Sequence, residues 1–120
     1  MNSNKSKVKS KILINFYKIS GKLNKRNIDE ITFYELEKIR TNIILIDVRS
    51  LQEYNEGHLN GAINIPLYDL KKNIYKYVND KNRNIIVYCQ TGKRSSKATK
   101  ILKEIGFNNV YNLKGGLDSI

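Results

Sequence analysis

Residues 85–98 read IIVYCQTGKRSSKA, and their order decides the architecture. Ile85-Ile86-Val87-Tyr88 is an unbroken β-branched and aromatic run, the pattern of a strand covered on both faces. The chain's single cysteine, Cys89, follows at once. After Gln90-Thr91-Gly92-Lys93-Arg94, a helix is expected from Ser95 to Ile105, with Ala98, Ile101, Leu102 and Ile105 at helical spacing and Gly106 as its terminator. A buried strand feeding a helix through a short glycine-bearing loop is half of a parallel α/β unit.

The flanking sequence repeats the theme. Thr32-Phe33-Tyr34-Glu35 is a capping-box pattern opening a helix to about Arg40, with Phe33, Leu36 and Ile39 inward. Ile43 to Ile46 is a second buried strand, Ala62 to Ile65 a shorter one stopped by Pro66, and Val110 to Leu113 a last one before Gly115-Gly116. Between them Leu67 to Val78 is expected as a helix with Leu70, Ile74 and Tyr77 on one side. This alternation predicts an α/β domain with a mainly parallel sheet and helices on both faces.

At 120 residues the chain is one domain in length. It has no apolar stretch approaching the roughly 18 to 20 residues of a membrane span. The net charge of +11 is concentrated at the start: eight Lys or Arg and no acid precede Asp29, leaving 14 Lys or Arg against 11 acids in the remainder. A nearly balanced body argues against nucleic-acid binding. Residues 1–28 are read as a basic leader. Val8, Ile12, Phe16, Ile19 and Leu23 fall at amphipathic spacing, as in a helix docked on its own domain or a partly disordered tail. The sharper alternative is contact with an anionic membrane surface or an acidic partner. Lys18 interrupts the patch ILINFY and no small-residue cleavage site follows, so export is rejected and a cytoplasmic location expected. One cysteine and one histidine give neither an internal disulfide nor a metal-ligand cluster, so no metal is expected.

Ligands of open parallel sheets bind beyond the carboxyl ends of the strands, where Cys89 falls. Gly92 permits a tight curl that aims successive N–H groups at one point, adding to the unpaired donors of the helix start. An ordinary thiol is mostly protonated at neutral pH, and such surroundings lower its pKa. The expectation is a nucleophilic thiolate in a cradle for a small anion. Lys93 and Arg94 supply positive charge, and Arg94 offers a planar fork for an oxyanion. The competing reading is an inert buried cysteine ending a strand.

Three stretches, LIDVRSLQEYNEGHLNGAINIP (45–66), IVYCQTGKRSSKA (86–98) and GFNNVYNLKGGL (106–117), make residues 29–120 resemble a single-domain rhodanese. That resemblance implies a five-stranded, mainly parallel sheet and transfer of a sulfane sulfur from thiosulfate or a persulfide to a thiol, a protein persulfide or cyanide through a Cys89 persulfide. It implies donor binding by Gln90, Thr91, Gly92, Lys93, Arg94 and Ser95, without a cofactor. Asp47 and Arg49 fall on family positions and are read as ordering the strand-end loops. His58 is read as a strut in a turn, and Glu53 and Glu56 as solvated charges. The family's usual aromatic residue after the double glycine is absent: Ile120 stands there, so the closing helix is expected to be short.

Two rival functions remain. Phosphatases and arsenate reductases of related architecture share the thiolate, cradle and arginine, but phosphatase loops place five residues between cysteine and arginine where this chain has four. A persulfide carrier or protein-binding module, acting on a protein partner without turnover, is the other.

Overall fold

The structure is a computed structural model that describes residues 29–120. The leader helix expected within residues 1–28 lies outside the described residues. Five strands, β1 (Glu30–Ile31), β2 (Ile44–Asp47), β3 (Ile63–Asn64), β4 (Asn84–Tyr88) and β5 (Asn109–Leu113), form one sheet in the order β1-β5-β4-β2-β3. Every pairing is parallel. Four α-helices occur among the described residues: α1 (Phe33–Ile39), α2 (Leu51–Asn55), α3 (Leu70–Asn73) and α4 (Lys93–Glu104).

Strand alternation divides the core into two. Ile85, Val87 and Cys89 pack with Ile46, Val48 and Val110 against Leu70 and Ile74 of the α3 segment and Ala98 and Leu102 of α4. Ile86 and Tyr88 pack on the other face with Leu45, Leu113 and the α1 residues Leu36 and Ile39. The sheet is thus covered on both faces, which is why β2 and β4 read as continuous apolar runs. β4 is the central strand, so whatever follows Tyr88 emerges at the middle of the sheet's carboxyl edge.

Local signals hold at several ends. Thr32 and Glu35 form the expected capping box, with Glu35 N–H donating to Thr32 Oγ1 at 3.2 Å and Thr32 N–H to Glu35 Oε1 at 2.9 Å. At the end of α4, Gly106 adopts φ +105, and Phe107 N–H reaches back to Leu102 O while Gly106 N–H reaches Lys103 O, each at 3.0 Å. Those two bonds are the six-to-one and five-to-two links of a Schellman stop.

One expectation needs correction, and one strand is not foreseen by the sequence. The stretch 67–78 is not one helix: α3 is a single turn between 3₁₀ segments at Leu67–Asp69 and Ile74–Lys76. A 3₁₀ segment turns about 120° per residue rather than about 100°, so the inward face shifts in phase. Val78, bonded N–H to Ile74 O at 3.0 Å, is buried instead of Tyr77, which is half exposed. Strand β1 has no apolar run to announce it. Its two residues sit at the sheet edge, bracketed by Asn112 N–H to Asp29 O and Lys114 N–H to Ile31 O.

Candidate active site

Cys89 lies directly beyond β4 with no solvent exposure, and its sulfur is ringed by donors. Gly92 N–H points at Sγ from 3.1 Å, and Ser95 contributes both its N–H and its Oγ–H from 3.4 Å. The curl that makes this possible is centred on Gly92, whose φ of +99 is open to glycine at little cost. α4 starts at Lys93, two residues earlier than expected, so Gly92 caps the helix and Ser95 stands in its first turn. Asn112 on β5 secures the cap by donating its Nδ2–H to Gly92 O at 3.2 Å. Burial pushes the Cys89 thiol up, but the bonds from Ser95 Oγ, Ser95 N and the N–H groups of Gly92 and Thr91 outweigh it, leaving the pKa below the ordinary cysteine value.

Ser95→Ala removes one of those donors without touching the bond that the Thr99 hydroxyl donates to Ser95 O. The pH at which iodoacetamide reacts half-maximally with Cys89 is expected to move upward. Alkylation at neutral pH should slow by roughly three- to tenfold, the worth of one long hydrogen bond of ordinary strength, about 0.7 to 1.4 kcal/mol. An unchanged pH–rate profile would remove Ser95 from the set that stabilises the thiolate.

A second segment braces the loop from outside. The final 3₁₀ turn, Gly116–Ser119, sends Leu117 N–H to Cys89 O and Asp118 N–H to Gln90 O, each at 3.0 Å. Gln90 Nε2–H also reaches Asp118 Oδ1 at 2.6 Å. Across a planar trans peptide the next N–H points the opposite way, so tying the Gln90 carbonyl outward turns the Thr91 N–H toward the thiol. The short closing turn is therefore a brace for the cysteine loop, a role that the spacing of GGLD did not announce.

Of the residues expected to bind the donor, Thr91, Gly92, Arg94 and Ser95 interact with Cys89, the Gln90 side chain turns to Asp118, and Thr91 and Lys93 are exposed. Arg94 is placed differently from a free oxyanion fork. Its Nη1–H donates to Glu53 Oε1 at 2.7 Å and its Nη2–H to Glu53 Oε2 at 3.0 Å. Glu53 is therefore not a solvated charge; Glu56, by contrast, is exposed. Arg94 holds the Glu53 carboxyl at about 2, well below the usual range, and Ser50 reinforces the effect. The signal was present in the sequence: Ser50-Leu51-Gln52-Glu53 is a capping box, which anchors Glu53 at the third residue of α2.

Asp47 and Arg49 form a buried pair at the end of β2. Arg49 Nη2–H donates to Asp47 Oδ2 at 2.8 Å and to Gly57 O at 2.5 Å, while its own backbone N–H donates to Asp47 Oδ1 at 2.9 Å. Asn64 Nδ2–H bridges Asp47 O and Arg49 O, tying β3 to the same corner. Tyr88 Oη accepts from Leu59 N–H at 2.9 Å, and burial raises its pKa. His58 stacks on Tyr54 with ring centroids 3.6 Å apart, and its Nδ1 lies 2.8 Å from Tyr54 O, the contacts of a strut in a turn. Among the described residues no group of three or more His, Cys, Asp or Glu is arranged to hold a metal, and no helix is long and apolar enough to cross a membrane.

The arrangement is a buried thiol facing converging N–H groups, able to attack a soft electrophile and to stabilise the anion it leaves. The sequence model of the family described as Rhodanese-like domain matches residues 20–120. Thiosulfate sulfurtransferase PspE of Escherichia coli (strain K12) is 47% identical over 75 residues, covering 62% of this chain and 71% of that protein. The tRNA uridine(34) hydroxylase of Buchnera aphidicola subsp. Baizongia pistaciae (strain Bp) is 42% identical over 80 residues, 63% of this chain; the chain spans 26% of that protein's length. A solved structure, rhodanese with anions from E. coli, superposes with a TM-score of 0.59 at 44% identity over 64% of this chain and 89% of that one.

Proposed function

This chain belongs to the rhodanese-like domain family, and from that membership we propose that it is a sulfurtransferase carrying a sulfane sulfur as a persulfide on Cys89. The observation that carries the reading is the ring of donors on one buried sulfur: Gly92 N–H, Ser95 N–H and Ser95 Oγ–H all aim at Cys89 Sγ. The similarity to a thiosulfate sulfurtransferase over 71% of that protein supports the same chemistry.

In the first half-reaction the Cys89 thiolate attacks the outer sulfur of the donor. A sulfur–sulfur bond forms to Cys89 as the donor's own breaks, and the bonding pair departs with the leaving group, sulfite when the donor is thiosulfate. The negative charge passes from Sγ to the new terminal sulfur, and the converging N–H groups of the loop are placed to hold it there. An acceptor thiolate or cyanide then attacks the terminal sulfur and regenerates the Cys89 thiolate. Splitting the transfer in two lets one set of donors serve both steps. His58 is not needed as a general base, since the loop supplies the thiolate.

The test is direct. Reduced protein mixed with thiosulfate, then examined by intact and peptide mass spectrometry without reductant, is expected to gain about 32 Da, one sulfur atom, on the peptide containing Cys89. Subsequent cyanide should release thiocyanate with turnover. A persulfide that forms but is passed only to a protein thiol would assign the carrier role instead. No adduct from thiosulfate or from glutathione persulfide, on a thiol that still alkylates, would defeat the sulfurtransferase reading.

A further inference from the structure

The Arg94–Glu53 pair joins the first turn of α4, after β4, to α2, after β2, 41 residues apart in sequence and beside Cys89. Each terminal nitrogen of the guanidinium gives one N–H to it, and the guanidinium also interacts, more weakly, with the Cys89 sulfur. Glu53 is held firmly: its Oε1 also accepts from Ser50 N–H at 3.2 Å and Ser50 Oγ–H at 3.1 Å, and its own N–H donates to Ser50 Oγ at 3.2 Å. Arg49, the next guanidinium in the same corner, is already paired with Asp47. The positive charge beside the sulfur is thus offset by a fixed carboxylate, and Lys93 is an exposed cation at the helix start.

Sulfur donors differ in the charge they bring. Thiosulfate is a dianion, and on reaching a thiolate it gathers three negative charges in one pocket. A neutral perthiol, R–S–SH, adds none beyond the thiolate's own, and its transfer is balanced: the Cys89–sulfur bond forms, the donor sulfur–sulfur bond breaks, and R–S⁻ leaves with the electron pair. An uncompensated Arg94 would favour the dianion by Coulomb attraction and bidentate binding. A neutral Arg94–Glu53 unit takes much of that preference away. Resting on the sulfurtransferase reading, we propose that Glu53 is a specificity-determining residue that offsets Arg94 and tilts the site from small dianionic donors toward persulfides of low charge.

The experiment compares wild type, Glu53→Gln, Glu53→Asp and, as a control for overall charge, Glu56→Gln. Cys89 is alkylated with iodoacetate and with iodoacetamide at low ionic strength; both lose iodide to the thiolate, but one reagent is anionic and the other neutral. Their rate ratio therefore reads the local field apart from nucleophilicity. Glu53→Gln is expected to raise the iodoacetate-to-iodoacetamide ratio by roughly three- to fivefold, the scale for one partly exposed charge. It should raise the ratio of kcat/KM for thiosulfate to that for 2-hydroxyethyl persulfide, whose R group carries no charge, by a similar factor, mainly through a lower KM for thiosulfate. Glu53→Asp, which keeps the charge, and Glu56→Gln should stay near the wild-type ratios.

An unchanged alkylation ratio in Glu53→Gln, or an equal change in Glu56→Gln, would overturn the proposal. So would an equal fall in kcat/KM for both donors, the mark of a residue that merely holds Arg94 in place. A raised alkylation ratio in a protein that takes sulfur from neither donor would overturn the sulfurtransferase reading while leaving the field of Glu53 in place.

Discussion

Cys89→Ser is expected to form no persulfide and to lose thiocyanate production to the assay background, a fall on the order of a thousandfold or more. A serine hydroxyl is not ionised at neutral pH, and the donors that suffice for a thiol do not bring it there. The stability cost should stay within about 1.5 kcal/mol, because the smaller hydroxyl finds the Gly92 and Ser95 donors already in place. Circular dichroism and a urea melt separate that outcome from unfolding. A folded Cys89→Ser protein that still turned thiosulfate into thiocyanate would show that Cys89 is a buried bystander.

Much of the fold is legible because its decisive signals are local. Leu45-Ile46 and Ile85 to Tyr88 are buried, with Ile43 and Ile44 partly so, in a sheet covered on both faces, and each run is therefore apolar along its length. Gly106 marks a Schellman stop that needs only its own neighbours. The site is legible for the same reason: Cys89, Gly92 and Ser95 lie within seven residues and fold on one another. What escapes such reading depends on partners distant in sequence. β1 exists as a strand only because β5 pairs with it. Glu53 belongs to a local capping box that could have been seen, but its ion pair with Arg94 depends on how β2 and β4 lie together. The 67–78 stretch misleads because a few 3₁₀ residues rephase an otherwise helical pattern.

Gly116 is the most distant of these partners, and its substitution tests how the cysteine loop is held. A Cβ added there would lie 2.4 Å from Cys89 O, 2.6 Å from Gln90 O and 2.7 Å from Gln90 C. All three are backbone atoms of the loop, which cannot rotate away as a side chain can. Its φ of +59 adds a conformational cost for any residue with a Cβ. Gly116→Ala is therefore expected to lose roughly 2 to 4 kcal/mol of unfolding free energy in urea. The larger consequence is chemical. Relieving the clash pushes the closing turn off the loop, breaking the Leu117 and Asp118 bonds to Cys89 O and Gln90 O and releasing the Thr91 N–H from its aim at the thiol. The pH of half-maximal iodoacetamide reaction should then rise, and sulfur transfer fall by about tenfold or more. Gly61→Ala supplies the contrast: its φ is +82 but nothing lies within 4 Å of an added Cβ. It should cost about 1 kcal/mol from backbone conformation alone, with the alkylation profile unmoved. If Gly116→Ala matched Gly61→Ala in both stability and thiol reactivity, the closing turn would be a lid resting on the loop and not the brace that shapes it.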